Sequence, residues 1–153
     1  MSKYNALKPL HKPIRVAMIG GGVNSAVGRV HEIAMKMDNE FDLVAGCFSR
    51  NPEFNAESGR QYNVPANKLY PSAEALIDAV AHEVDAVVIA TPIKSHAQYI
   101  HLALDHNLRV ISDKPLLANV QECKELLARV QPDNTQVFSI FNYTGYPAVR
   151  EMK

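Results

Sequence analysis

The sequence predicts an α/β fold: a doubly wound, mostly parallel sheet of about six strands. Three observations carry that expectation. Ile14–Ile19 (IRVAMI) and Asp85–Ala90 (DAVVIA) are nearly continuous apolar runs, the pattern of central strands buried on both faces. Strand-like runs alternate with helical segments of about ten residues or more, which calls for parallel pairing through right-handed crossovers. The first strand also runs straight into three glycines, Gly20, Gly21 and Gly22, with a helical pattern behind them.

In chain order, residues 1–13 are polar, carry two prolines and read as an N-terminal arm. After IRVAMI and the glycines, a helix is expected from Asn24 to Met37, with Val27, Val30, Ile33, Ala34 and Met37 on its inward face. Residues 41–48 (FDLVAGCF) form a second strand. Residues 51–63 form a polar helix with Asn51 as N-cap and Pro52 in the first helical position. Residues 64–71 are loop, with room for a short third strand near Leu69. Ser72 starts a helix running to about Ala81, with Glu74 near its positive end. DAVVIA is followed by a helix over 95–107, a strand over 109–112 and a helix over 119–130. In that last helix Val120, Cys123, Leu126, Leu127 and Val130 should face inward, and residues 136–141 (QVFSIF) make the last strand. No internal repeat or low-complexity stretch interrupts the series.

The chain of 153 residues is the size of one domain with a real core. Its 47% apolar and 21% charged residues are the balance of a soluble globular protein. Sixteen basic residues offset sixteen acidic ones without a Lys/Arg run, which removes the electrostatic case for nucleic acid or an anionic membrane as partner. The opening MSKYNALKPLHKP lacks the apolar core of a signal peptide. No apolar run approaches the roughly twenty residues of a membrane span. The chain therefore reads as cytoplasmic. Cys47 and Cys123 fall in different element types, and nothing favours a disulfide between them.

The strand–glycine–helix junction carries the first chemistry. Gly20 permits a tight turn, and Gly22 lets backbone approach a pyrophosphate without a side chain in the way. The helix opening near Asn24 offers free N–H groups and partial positive charge to that anion. A third glycine would stand three positions after Gly22, where Ser25 is found; Gly28 is a candidate for the close helix approach instead. Such glycines also serve plain turns, and Asn24 and Ser25 are also helix-capping types. Position after the first strand of a βαβ unit favours the dinucleotide reading.

A site for NAD would carry an Asp or Glu at the end of the second strand. That end reads Cys47-Phe48-Ser49-Arg50, with no carboxylate. Ser49 and Arg50 suit a 2′-phosphate, and an Arg can also stack on adenine. NADP(H) is favoured over NAD(H), the alternative being that Arg50 is a solvated surface residue.

Two further segments directly follow strands: Thr91-Pro92-Ile93-Lys94-Ser95-His96 and Asp113-Lys114-Pro115-Leu116. Taken in order, AMIGGGVNSAVGRVH, ATPIKSH and SDKPL resemble the glucose–fructose oxidoreductase / inositol dehydrogenase / MocA family, from about Ile14 to the end of the chain. The resemblance implies an N-terminal Rossmann domain and a second domain on a large, mostly antiparallel sheet. It implies oxidation or reduction of a sugar, polyol or related carbonyl with NAD(P).

Asp113-Lys114-Pro115 matches the family's EKP motif, with Asp in place of Glu. That match implies that Lys114 is catalytic, polarising the reacting oxygen or joining the proton relay. Asp113 would help hold the nicotinamide-side ribose, a role its shorter side chain weakens. On the residue reading above, the glycine loop with Gly20, Gly22, Val23, Asn24 and Ser25 would hold the pyrophosphate, and Ser49 and Arg50 the adenosine end. The resemblance implies that Thr91 and Pro92 would line the nicotinamide end with His96 beside them, and that Asn142 opens the segment after the last strand. Residues 146–153, with Pro147 in a first helical turn, would start a helix leading to a C-terminal substrate domain, so that 14–145 form the dinucleotide-binding domain. The end at Lys153 reads as a cut through an element.

No metal site is expected. His96, His101 and His106 recur every five residues and so rotate around a helix. C-x-x-C, G-x-S-x-G and P-loop patterns are absent. The expected activity is hydride transfer between nicotinamide and a sugar or polyol by a parent enzyme that is a homo-oligomer, the fragment alone being inactive. The competing readings are a non-catalytic dinucleotide sensor or regulatory module and, more distantly, a methyltransferase.

Overall fold

A computed structural model describes residues 12–37, 39–130 and 136–152. Its centre is one parallel sheet in the order β2-β1-β3-β4-β5, made of β1 (Ile14–Gly20), β2 (Phe41–Cys47), β3 (Ala86–Ala90), β4 (Arg109–Ser112) and β5 (Val137–Ser139). All four pairings are parallel. The chain steps from β1 to β2 on one side and returns past β1 to β3 on the other, so the sheet is doubly wound. Five residues of β3 are all buried, as its continuous apolar run predicts.

The expected sixth strand is reduced to one contact. Leu69 makes a single parallel bridge to Gly46 beside β2, and Tyr70 N–H donates to the Gly46 carbonyl at 2.9 Å. The tight 3-10 turn Ala66–Lys68 precedes it and Pro71 follows. Proline has no N–H to extend a ladder, so two residues are left where a strand needs more.

The helices are α1 (Gly28–Met37), α2 (Pro52–Tyr62), α3 (Ala73–Val80), α4 (His96–Asp105), α5 (Val120–Arg129) and α6 (Pro147–Glu151). Leu76, Ile77 and Val80 of α3 pack with Ile100 and Leu104 of α4 and Leu126 of α5 against one face of the sheet. Met35 of α1 and Tyr62 of α2 join Val16, Met18 and Val88 on the other. Three caps follow the residue types. Asn51 Oδ1 accepts from Glu53 and Phe54 N–H at 2.9 and 3.1 Å, Ser72 Oγ from Ala75 N–H at 3.1 Å, and Asn119 Oδ1 from Glu122 N–H at 3.0 Å.

Two helical faces differ from the periodicity. Helix α1 begins at Gly28, since turns occupy the stretch from Val23 to Val27. It buries Gly28, Glu32 and Met35, while Val30, Ile33, Ala34 and Met37 are exposed and Val27 is half-buried. The close seat of Gly28 on the glycine loop sets the rotation of the helix, and Glu32 and Met35 share its side one and two turns later. In α5 only Leu126 is buried, with Val120, Cys123 and Leu127 exposed and Val130 half-buried. That helix follows β4 at the end of the sheet, where little surface is left to cover it. Cys47 and Cys123 are both free, the first buried and the second exposed. Among the described residues no helix is long and apolar enough to cross a membrane.

Candidate dinucleotide cleft

Parallel pairing brings the strand ends to one rim. Gly20 stands opposite Ala90, Ile19 opposite Cys47, and Ile89 opposite Ser112. The loops after β1, β2, β3 and β4 therefore share the carboxyl edge, and the winding reverses between β1 and β3, where such sheets bind ligands. A cleft of about 730 Å³ opens there between the glycine loop, Cys47 to Arg50, Ala90 to Pro92 and the start of α4. A larger groove, about 1040 Å³, lies at the amino rim among Ile14, Phe41, Ala86, Ile111, Phe138 and Ile140. It is mainly apolar and touches none of the loops that carry the motifs, so the smaller cleft is the candidate site.

The glycine loop is shaped by close contacts. Gly20 has φ +77°, and a Cβ there would stand 2.6 Å from Thr91 Cγ2. Gly21 N–H donates to the Ala90 carbonyl at 2.9 Å, and the Gly21 carbonyl accepts from the buried Tyr62 hydroxyl at 2.8 Å. A Cβ on Gly28 would fall 1.8 Å from the Gly21 carbonyl oxygen. Gly28 thus supplies the close helix approach that Ser25 cannot. Val23 N–H is taken by Ser58 Oγ at 3.0 Å, and Ser25 N–H by the Gly22 carbonyl at 2.7 Å. The N–H groups of Gly22 and Asn24 have no acceptor among the described residues. Those two donors are left for an anion.

The rest of the lining fits an anionic ligand. Among the described residues Arg50 and Lys94 are its cations, and no carboxylate lines it. Ser49 Oγ accepts from Asn51 N–H at 3.1 Å, which fixes the bend that presents Arg50, itself exposed. Thr91 and Pro92 form the wall after β3. The Ser95 hydroxyl lies 2.9 Å from both Thr91 Oγ1 and the Pro92 carbonyl. Burial, and then the Glu74 carboxylate, push the Cys47 thiol up from its ordinary range.

His96, Asp113 and Lys114 lie outside this lining. His96 is 1% exposed and is not part of the lining. Its Nε2 lies 2.8 Å from the Thr91 carbonyl, and its Nδ1 3.1 and 3.2 Å from the carbonyls of Pro115 and Leu116. Asp113 Oδ1 accepts the Lys114 N–H at 2.8 Å, and its Oδ2 lies 4.0 Å from His31 Nε2. Lys114 is exposed, on the same rim but outside the cleft lining, and its peptide bond to Pro115 is cis. Asn142 opens the 3-10 turn Asn142–Gly145 after β5.

Sequence reasoning passed over Tyr62, Ser58 and His31, which shape the glycine loop and meet the Lys114 turn. The first two sit in a helix that reads only as polar, and their role comes from α2 packing beside the loop. His31 closes the AMIGGGVNSAVGRVH motif, but no spacing rule ties it to a residue 82 positions on.

Residues 14–141 match the family described as "Oxidoreductase family, NAD-binding Rossmann fold". The chain is 31% identical to an uncharacterized oxidoreductase of Bacillus subtilis, covering 97% of this chain and 39% of that protein. It is 28% identical to a scyllo-inositol 2-dehydrogenase (NADP(+)) of the same species, over 92% of this chain and 40% of that protein. An inositol dehydrogenase homologue from Azotobacter vinelandii, solved with NAD+, superposes with a TM-score of 0.87 at 33% identity, over 97% of this chain and 39% of that one. The chain thus spans about two fifths of the length of these relatives. Both the fold and the matched sequence lead to one conclusion: this chain belongs to the glucose–fructose oxidoreductase / inositol dehydrogenase / MocA family, as its NAD-binding Rossmann part.

Proposed function

We propose that this chain is the cofactor half of a cytoplasmic oxidoreductase that moves a hydride between a nicotinamide, preferably NADP(H), and a sugar, polyol or related carbonyl. The observation that carries this reading is the cleft itself: among the described residues it holds two unengaged backbone N–H groups, two cations and no carboxylate, at the point where the sheet winding reverses. The relatives that act on inositols support the substrate class.

When bound, the cofactor accepts or donates hydride at its nicotinamide ring. The chain's own residues bind and orient it. Gly22 and Asn24 N–H groups donate to the pyrophosphate, with Gly20, Val23 and Ser25 shaping the turn that exposes them. Ser49 and Arg50 receive the 2′-phosphate, a charge-assisted contact that raises preference for NADP(H) about ten- to a hundredfold. Thr91 and Pro92 border the nicotinamide end. The Lys114 ammonium donates a hydrogen bond to the reacting oxygen of the substrate, and Asp113 fixes the turn from which the lysine departs. A second domain, as in relatives more than twice as long, supplies the other side of the substrate site and the contacts of a homo-oligomer. Orientation of substrate against cofactor is worth several kcal/mol of barrier, so the chain alone binds cofactor without turnover.

Titration of the purified chain with NADPH, NADH and S-adenosylmethionine tests the assignment. NADPH should bind tightest. Tight S-adenosylmethionine binding without a nicotinamide response rejects it.

A further inference from the structure

We infer that His96 is the positioning residue for Lys114: its ring fastens the loop after β3 to the loop after β4 and so sets where the lysine departs. The inference rests on the reading above that Lys114 faces the reacting oxygen. It replaces the expectation that His96 itself borders the nicotinamide.

The ring is 1% exposed at the start of α4, and both nitrogens face backbone carbonyls from two different loops. Nε2 stands 2.8 Å from the Thr91 carbonyl. Two lone pairs at that distance repel, so Nε2 carries a proton and donates it. Nδ1 stands 3.1 Å from the Pro115 carbonyl, 3.2 Å from that of Leu116 and 3.4 Å from Ser112 Oγ. With its proton on Nε2 the ring donates to the Thr91 carbonyl, while Nδ1 accepts from the Ser112 hydroxyl, just before the loop after β4, with the Pro115 and Leu116 carbonyls packed beside it. No other side chain among the described residues bonds both loops.

Lys114 depends on that tie. Its side chain is exposed, with no ion pair or hydrogen bond of its own among the described residues. Its direction therefore comes from the backbone. On one side its N–H is held by Asp113 Oδ1 at 2.8 Å; on the other, the next two carbonyls stand 3.1 and 3.2 Å from the buried His96 ring, which limits where they can move. The same ring grips Thr91, whose methyl packs where a Gly20 Cβ would be. The glycine turn, the nicotinamide wall and the lysine are thus joined through one imidazole. Removing it takes the donor from the Thr91 carbonyl and the ring from between the two loops, a cost that loosens them locally.

Three measurements on this chain test the inference. In the unmodified protein, ¹⁵N NMR of the His96 ring should show a protonated, hydrogen-bonded Nε2 at neutral pH; a bare Nε2 overturns the clamp. In ligand-free His96→Ala, the Lys114 and Leu116 amides should shift and exchange about tenfold faster, while amides of α2 stay unchanged. Unaltered Lys114 and Leu116 amides overturn it. In binding, His96→Ala should keep ADP-ribose affinity within about twofold but lose most of the NADH fluorescence change, and His96→Gln, which retains one N–H donor, should restore part of it. Equal losses for ADP-ribose and NADH would make His96 a general stabiliser and overturn the positioning role. Failure of the unmodified chain to bind either ligand rejects the proposed function, and the two ligand-free measurements still decide the clamp.

Discussion

His31 and Asp113 stand 4.0 Å apart, nitrogen to carboxylate oxygen, with both side chains largely buried. His31 lies one turn into the helix that leaves the glycine loop, and Asp113 begins the Lys114 turn. The pair is where the two motif-bearing loops of the rim meet from behind. Burial lowers the His31 pKa from 6.5, and attraction by Asp113 opposes this only in part. The ring is thus kept neutral in the fold more readily than in the unfolded chain. The unfolded state binds more protons below about pH 6.5, so the contribution of His31 is complete above that pH and is lost as pH falls through it. His31→Asn should flatten the fall in urea midpoint between pH 7.5 and 5.5, by less than about 1.4 kcal/mol per pH unit, the limit for one proton. Identical pH slopes for the two proteins would contradict this.

Gly28→Ala should cost about 1–3 kcal/mol of stability, because its methyl would meet the Gly21 carbonyl, a backbone atom that cannot swing away. Gly145→Ala is the matched control, with nothing within 4 Å of the added carbon. Urea unfolding compares them. A Gly28 variant as stable as the control would remove the close helix approach from the account.

Arg50→Ala should weaken NADPH about ten- to a hundredfold while leaving NADH nearly unchanged. Calorimetric titration of both cofactors gives the ratio directly. Equal losses would take Arg50 away from the 2′-phosphate.

The two thiols should label at very different rates. Cys123 is exposed and Cys47 is buried, and burial raises the Cys47 pKa and so thins its thiolate. One thiol per chain should react quickly with a disulfide reagent. Because Cys47 also lines the cleft, NADPH should slow the second reaction further. Mass spectrometry identifies the site, and fast labelling at Cys47 counts against the cleft as drawn.

The strands, the caps and the glycine loop were legible because each is written in adjacent residues: a β-branched run, an Asn or Ser before a helix, three glycines after a strand. The inward faces of α1 and α5 were not. Periodicity shows which apolar residues share a side, but the contact of Gly28 with Gly21 turns α1 so that Glu32 and Met35 face in. Leu126 is buried and Leu127 exposed, a choice made by the single surface α5 has to cover. The sixth strand failed for a local reason, a 3-10 turn and Pro71 closing in on Leu69. At the site, cleft-lining residues such as Ser49, Arg50 and Thr91 could be named from position along the strands. The backing by His96, His31, Ser58 and Tyr62 could not, since each acts across 5 to 82 residues of sequence on a backbone group or a side chain that folding brings near.

Amide NMR of the chain during NADPH addition tests the central claim most directly. Resonances of Gly22, Asn24, Arg50 and Thr91 should move together and saturate, while those of Phe41, Asp85 and Phe138 stay in place. Shifts confined to the second group would put the ligand in the apolar groove at the opposite rim and contradict the site.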